Sequence, residues 1–268
     1  MAETFIKDAA ANYRDSSKLK VRANLHVKYG RSPISWFQWI AQQAALPEGA
    51  AVLDVGCGPG WLWAEPAADF PAGLNVTLAD LSPGMVDEAV AKVGGLGRYA
   101  AVTGLVADAQ TLPFADASFD AVLACHMLYH VPDEAKALDE MARVLRPGGI
   151  IAVTTNGHDN MIEMYELGGT AFGGAMSDPS GVHFGLDHAV AALEQRFVWV
   201  EGLLYPSEMV ITDGEDIVAT LTSYPPGETA SAAQVGHLRR LVAERMAAGG
   251  GVLAVTREQG MVRGRKAG

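Results

Sequence analysis

Short apolar runs, each ending in a polar or glycine-rich break, recur through the middle of the chain. Val52, Leu53 and Val55 form the first, Val76 to Ala79 the second, and Gly104 to Ala107 the third. Phe119 to His126 and Ile150 to Thr155 follow. Runs this short and continuous read as strands buried on both faces. Between the last two, Glu134 to Leu145 has the spacing of a helix, and Arg146-Pro147-Gly148-Gly149 is the turn that returns the chain to the sheet. Such alternation predicts an α/β doubly wound sheet. Phe197 to Leu204 reads as a sixth strand, and Gly214 to Ser223 and Ser231 to Ala248 as helices. Val252 to Thr256 and Gly260 to Arg263 form the last strand or a terminal hairpin. Residues 1–46 read as an N-terminal helical cap, with Ser32-Pro33 opening a helix that carries Ile34, Trp36, Phe37, Ile40 and Ala41. The core takes residues 47–156, and residues 196–268 complete the sheet. Residues 157–195 connect them, and their glycines (Gly168, Gly169, Gly173, Gly174) and polar residues suit a substrate lid.

The first run ends in Asp54-Val55-Gly56-Cys57-Gly58-Pro59-Gly60. Glycine at every second position lets the backbone bend through positive φ and approach a bound molecule. A helix beginning near Gly60 points free N–H groups and a positive dipole end at the loop, while Asp54 adds a charge that favours an ammonium. A site offering both signs suits a zwitterionic amino-acid end better than a diphosphate. The dinucleotide fingerprint G-x-G-x-x-G is met at Gly56 and Gly58, but Trp61 stands where the third glycine belongs. Asp80 ends the second run, twenty positions beyond Gly60. A carboxylate there accepts hydrogen bonds from both hydroxyls of a ribose. A helix N-cap is the alternative reading, although Ser82 and Pro83 already supply that start signal.

The glycine loop, Asp80, Asp108-Ala109, Leu128-Tyr129-His130-Val131-Pro132-Asp133 and Leu145-Arg146-Pro147-Gly148-Gly149 follow one another in an order that resembles the class I S-adenosylmethionine-dependent methyltransferases, in their small-molecule branch. The resemblance covers Val52 to Thr155. It implies a seven-stranded Rossmann-like doubly wound sheet, mostly parallel with an antiparallel last strand, and an N-terminal cap over the cofactor. It also implies S-adenosyl-L-methionine as cofactor and S-adenosyl-L-homocysteine as product. Asp54, the bend Gly56-Cys57-Gly58-Pro59-Gly60 and Asp80 would hold that cofactor. Leu81 and Met85 would wall the adenine, Asp108 and Ala109 would lie near its amine, and Cys125 would close the site at the end of the fourth strand. The implied reaction is methyl transfer to a carbon, oxygen or nitrogen of a metabolite. A protein that binds the cofactor without transferring methyl, cyclase-like or regulatory, is the alternative, and an NAD-dependent oxidoreductase is a third.

His126 and His130 are the candidate catalytic residues. They follow the carboxyl end of the fourth strand, where open α/β sheets bind ligands, and imidazole can take a proton near neutrality. Their spacing puts both rings on one face only if the stretch is helical, and orienting the backbone is the competing role. Two histidines without a further ligand at recognisable spacing give no metal site. In the N-terminal arm, Tyr13, Arg22, Asn24, His26 and Tyr29 mix aromatic, basic and polar groups, and Tyr29 is the first choice for a contact closing over the cofactor. Trp63 reads as packing, His183 and His188 flank the lid, and Met161, Met164 and Met176 give that region apolar bulk.

The 268 residues suffice for one α/β domain with additions, and no apolar run approaches the ~20 residues that cross a bilayer. The first residues lack a basic-then-apolar signal pattern, and Cys57 and Cys125 are too few for a disulfide framework, so a cytoplasmic setting is expected. A net charge of −11 argues against a nucleic-acid partner. Residues 1–50 hold seven Lys/Arg against four acids, leaving −14 for the remainder. That basic arm is either a solvated helix face or a surface meeting an anionic, partly apolar small molecule. Oligomeric state is not legible.

Overall fold

The structure, a computed structural model, describes residues 25–268. Tyr13, Arg22, Asn24 and most of the expected N-terminal cap lie outside the described residues. The central sheet contains β2 (Ala51–Val55), β3 (Asn75–Asp80), β4 (Ala101–Val106), β5 (Phe119–Cys125), β6 (Leu145–Asn156), β7 (Trp199–Leu204) and β10 (Gln259–Arg265). Their order is β4-β3-β2-β5-β6-β10-β7. β2 to β6 pair in parallel, and β10 runs antiparallel to both β6 and β7. The expected seven strands with an antiparallel last strand are therefore present.

Side-chain alternation explains why the sheet carries helices on both faces. Leu53, Val122, Ile151 and Val153 enter one core, with the helix Glu134–Val144 and the helix Leu186–Glu194. Val52, Ala121, Leu123 and Ala152 enter the opposite core, with Trp39, Ile40, Trp63 and Phe70. We number the helices α1 (Trp36–Gln43), α2 (Trp61–Ala64), α3 (Pro83–Gly94), α4 (Glu134–Val144), α5 (Ile162–Phe172), α6 (Pro179–Phe184), α7 (Leu186–Glu194), α8 (Gly214–Leu221) and α9 (Ala232–Ala248).

Several boundaries differ from the sequence reading for local reasons. α1 begins at Trp36, not Ser32, because Ser35 and Gln38 close a reciprocal capping box. α2 is a single turn. The Arg146–Gly149 turn is a bulge inside β6, with Gly148 at φ +75°, and the pairing with β5 jumps from Phe119–Leu145 to Ala121–Ile150. The terminal hairpin does not form. β9 (Leu253–Val255) leaves the main sheet and pairs with β8 (Glu208–Ile211), which pairs in turn with β1 (Gly30–Arg31). This small sheet and α5, α8 and α9 share a third core around Leu25, Tyr29, Met164, Ile217 and Leu238. Residues 157–195 are largely helical, and α7 packs on β6, β7 and β10 as part of a helix layer, so only residues 157–185 are left to form a cover.

Candidate active site

The parallel strands end together along one edge of the sheet, and pairing puts Asp54 beside Leu78 and Leu123, and Cys125 beside Thr154. Because β10 runs the other way, its first residue, Gln259, lies beside Asn156 at that same edge. The glycine bend stands over the β2 end. Gly56, Gly58 and Gly60 have φ of +71°, +52° and +74°. Gly56 and Gly60 are glycines for packing as well: a Cβ on Gly56 would meet Met127 at 2.6 Å, and one on Gly60 would meet Ala89 and Val93 at 3.0 Å. A Cβ on Gly58 would meet nothing within 4 Å, so its outer side is open to a ligand. The loop is pinned to β3. Gly56 and Cys57 donate N–H bonds to the Ala79 carbonyl, at 2.8 and 3.0 Å.

Asp80 joins the two elements. One carboxylate oxygen accepts the Gly58 N–H and the other accepts the Ser82 N–H, both at 2.9 Å. Partial burial raises its pKa, while the backbone N–H groups oppose the rise. The N-cap of α3 is Ser82, whose hydroxyl accepts the Met85 N–H at 3.4 Å, and each Asp80 oxygen keeps a second lone pair for a sugar hydroxyl. Asp54 differs from expectation. It is 1% exposed, Trp63 donates its indole N–H to one oxygen at 2.8 Å, and Oδ1 has no hydrogen-bond partner among the described residues. Burial pushes its pKa up to about 7, so its charge is not fixed and waits on a cation or donor. Trp63 is a packing residue, as expected, fully buried and stacked on Phe70 with ring centroids 4.5 Å apart.

The other expected contacts divide. Leu81 is 66% exposed and free to wall a base, whereas Met85 is 1% exposed, a core residue that presents no face to a ligand. Asp108 is exposed, and its carboxylate accepts from the backbone and side-chain N–H groups of Gln110, at 2.9 and 3.1 Å, while Ala109 is buried beside it. The Cys57 thiol sits 3.5 Å from the Gly58 carbonyl, and Pro59 is buried in the bend. Burial, and after it the nearby Asp54, pushes both cysteine thiols well up, so neither is a thiolate nucleophile. The one-turn α2 carries little dipole, and the N–H groups of Gly56, Cys57, Gly58 and Gly60 are engaged within the protein, so the expected helix-end donor site is weak. Tyr29 is a correction. Its hydroxyl and the Lys28 ammonium both donate to Asp216 at the start of α8, and its ring is buried in the third core, away from any cofactor role.

His126 leaves β5 at φ +52° and donates its N–H to the Thr154 carbonyl at 3.0 Å. Only Leu128–His130 form a helical turn, of the 3₁₀ type, so His126 and His130 do not share a helix face. Tyr129 stands between them, its ring 6.2 Å from His126 and 4.6 Å from His130. Burial lowers the His126 pKa to about 4; Asp178 opposes this and Arg257 adds to it. The imidazole is therefore neutral near pH 7. Trp36 lies 5.4 Å from the His126 ring and 5.0 Å from Tyr205.

Sequence reasoning missed Asp178 and Arg257. Asp178 accepts from Asn156 at 2.9 Å, Asn160 at 3.1 Å and Ser180 at 2.6 Å, tying residues 157–185 to the end of β6. Arg257 donates to His26 Nδ1 at 2.8 Å. Asp178-Pro179 signals only a helix start, not its partners on β6, and Arg257, a charged residue between β9 and β10, reads as a turn. Among the described residues no group of three or more His, Cys, Asp or Glu could hold a metal ion, and no helix is long and apolar enough to cross a membrane.

A doubly wound sheet with a glycine bend, an acid at the end of the second strand and polar groups at the third to fifth strand ends defines a Rossmann-like ligand-binding domain. Residues 53–153 match the methyltransferase-domain family. Curated relatives that match the chain are themselves named methyltransferases. The chain is 33% identical over 169 residues to the methyltransferase GfsG of Streptomyces halstedii, covering 57% of this chain and 59% of that one. It is 41% identical over 123 residues to a demethylmenaquinone methyltransferase of Renibacterium salmoninarum, covering 46% and 48%. The chain thus spans about half the length of these curated relatives. A solved phosphoethanolamine N-methyltransferase 2 of Haemonchus contortus, in complex with phosphomonomethylethanolamine and S-adenosylhomocysteine, shares the fold at 19% identity and a TM-score of 0.56, covering 100% of this chain and 60% of that one.

Proposed function

We propose that this chain transfers a methyl group from S-adenosyl-L-methionine to a small-molecule acceptor. The observation that carries the reading is the orphaned Asp54 Oδ1 beneath a glycine bend whose middle residue, Gly58, has open space where a side chain would stand. When bound, the cofactor supplies a methyl group activated on a sulfonium. Asp54 would accept from the ammonium of its amino-acid end, Asp80 from the ribose hydroxyls, and Leu81 would flank the base. His126, neutral and at the same edge, would hold a proton released by the acceptor, with Tyr129 and His130 behind it. Asp178 fixes residues 157–185 across that edge, which supports their role as a cover that excludes water.

Carbon, oxygen and nitrogen acceptors all fit this edge. The net charge of −11 supports a small molecule rather than nucleic acid. A cytoplasmic location belongs to the same reading, supported by two free cysteines. The test is incubation with methyl-labelled cofactor and fractionated metabolites. Label in a small-molecule product supports the proposal. Cofactor binding with no labelled product in any fraction favours the cyclase-like or regulatory alternative, and NAD binding in its place favours the oxidoreductase.

A further inference from the structure

We propose that Arg257 and His26 form a recognition site for an anionic oxygen group, a carboxylate or a phosphate, on the methyl acceptor. The proposal rests on the methyltransferase reading and names the class of acceptor. Arg257 lies two residues before β10 and so stands near the edge where β5, β6 and β7 end: Gln259 pairs with Asn156, and Gly260 with Leu204.

Among the described residues its guanidinium has no carboxylate partner. Arg143, Arg146, Arg196, Arg239, Arg245 and Arg263 each meet a carboxylate. Arg257 meets neutral acceptors instead: His26 Nδ1 at 2.8 Å, Ser207 Oγ at 3.5 Å and the Gln259 side-chain carbonyl. The nearby acids are engaged elsewhere. Asp178 is taken by Asn156, Asn160 and Ser180, and Glu258 accepts the Asp159 N–H. Burial lowers the Arg257 pKa to about 10, the sign of a cation short of water and of counter-charge. Neutral dipoles orient such a fork without neutralising it, and an oxyanion that completes it gains a charge-assisted, bidentate contact.

His26 adds a donor. Arginine can only donate, so His26 Nδ1 must accept, and a neutral imidazole then carries its proton on Nε2. Burial, followed by Arg257, holds the His26 pKa down to about 3, which keeps the ring in that neutral form. The residues beside the pair are aromatic. Tyr205 is bonded through its hydroxyl to the Ile34 carbonyl at 2.7 Å and packs on Trp36, which in turn touches His126. The wall thus runs from a proton acceptor, past two aromatic faces, to a cation. That sequence of groups fits an acceptor with a flat apolar body and one anionic substituent.

The test is calorimetric titration of the full chain with benzoate, phenyl phosphate and neutral benzamide, each with and without S-adenosylhomocysteine. Wild-type protein should bind one or both anions about tenfold or more tighter than benzamide, and Arg257→Met should abolish that preference. Which anion wins identifies the substituent. Arg257→Lys, which keeps charge but loses the fork, should fall between. S-adenosylhomocysteine affinity should be unchanged in Arg257→Met, which separates this site from the cofactor site. If Arg257→Met does not fold, phenylglyoxal labelling of wild-type Arg257, read by mass spectrometry, decides: the preferred anion should slow it and benzamide should not. Equal binding of anions and benzamide by wild type, or an intact anion preference in folded Arg257→Met, overturns the proposal. Loss of S-adenosylhomocysteine binding in wild type overturns the methyltransferase reading, while the anion titrations without it still decide Arg257.

Discussion

Asp54 shows how one side chain can be costly to the fold and useful to the site. One oxygen holds Trp63 and the other is buried without a partner, so ionising it in the absence of a ligand is unfavourable. Asp54→Asn keeps the shape and the acceptor for Trp63 while removing the charge. Its melting temperature should equal or exceed that of wild type, and S-adenosylhomocysteine should bind about tenfold more weakly. A variant that loses stability but keeps affinity would make Asp54 a packing residue only. The sequence made Asp54 visible through its place before the glycines, but not its burial, which depends on Trp63 folding back over it. Tyr29 failed for a similar reason: its partner Asp216 is remote in sequence and belongs to a core that no local pattern announces.

At the scale of elements, the bend from Gly56 to Gly60 separates two demands on glycine. Gly60 needs both positive φ and the absence of a side chain, because Ala89 and Val93 stand 3.0 Å from a would-be Cβ. Gly58 needs only the dihedral as far as the protein is concerned. Gly58→Ala should therefore cost about 1–2 kcal/mol of stability and weaken cofactor binding more than that, while Gly60→Ala should destabilise further through its clash with α3. Thermal melts alongside cofactor titrations check the ranking; a Gly58→Ala variant with wild-type affinity would move the ligand off the bend. The parallel strands were readable because each is a continuous apolar run closed by a breaker. The small sheet of β1, β8 and β9 was not, since its strands are two to four residues long and β1 pairs with β8 across most of the chain. The insertion of β10 between β6 and β7 was also unreadable locally, and with it the place of Arg257.

For the molecule as a whole, buried titratable groups set how stability varies with pH. His126 and His26 have folded-state pKa values of about 4 and about 3, below the 6.5 of an unfolded histidine. The unfolded chain takes up protons first, so their contribution is full above pH 6.5 and is lost as pH falls from there. Asp54 works the other way. Its pKa of about 7 lies above the ordinary 3.8, so its contribution is full below 3.8 and fades as pH rises through 7. Two histidines against one carboxylate predict a falling melting temperature between pH 6.5 and about 5, where ordinary carboxylates are still ionised. A His26→Gln/His126→Gln double variant should flatten that slope. A flat wild-type curve, or an unchanged slope in the variant, would show that these rings are not buried and neutral.

The central claim is one cofactor pocket, formed by the glycine bend, Asp54 and Asp80. Calorimetric titration of wild type and Asp80→Ala with S-adenosylhomocysteine tests it most directly, with NAD as the control ligand. The account predicts one bound S-adenosylhomocysteine per chain, no NAD binding, and a loss of about tenfold or more in affinity for a folded Asp80→Ala. Equal affinity in the two proteins, or a wild type that binds NAD and ignores S-adenosylhomocysteine, would contradict it.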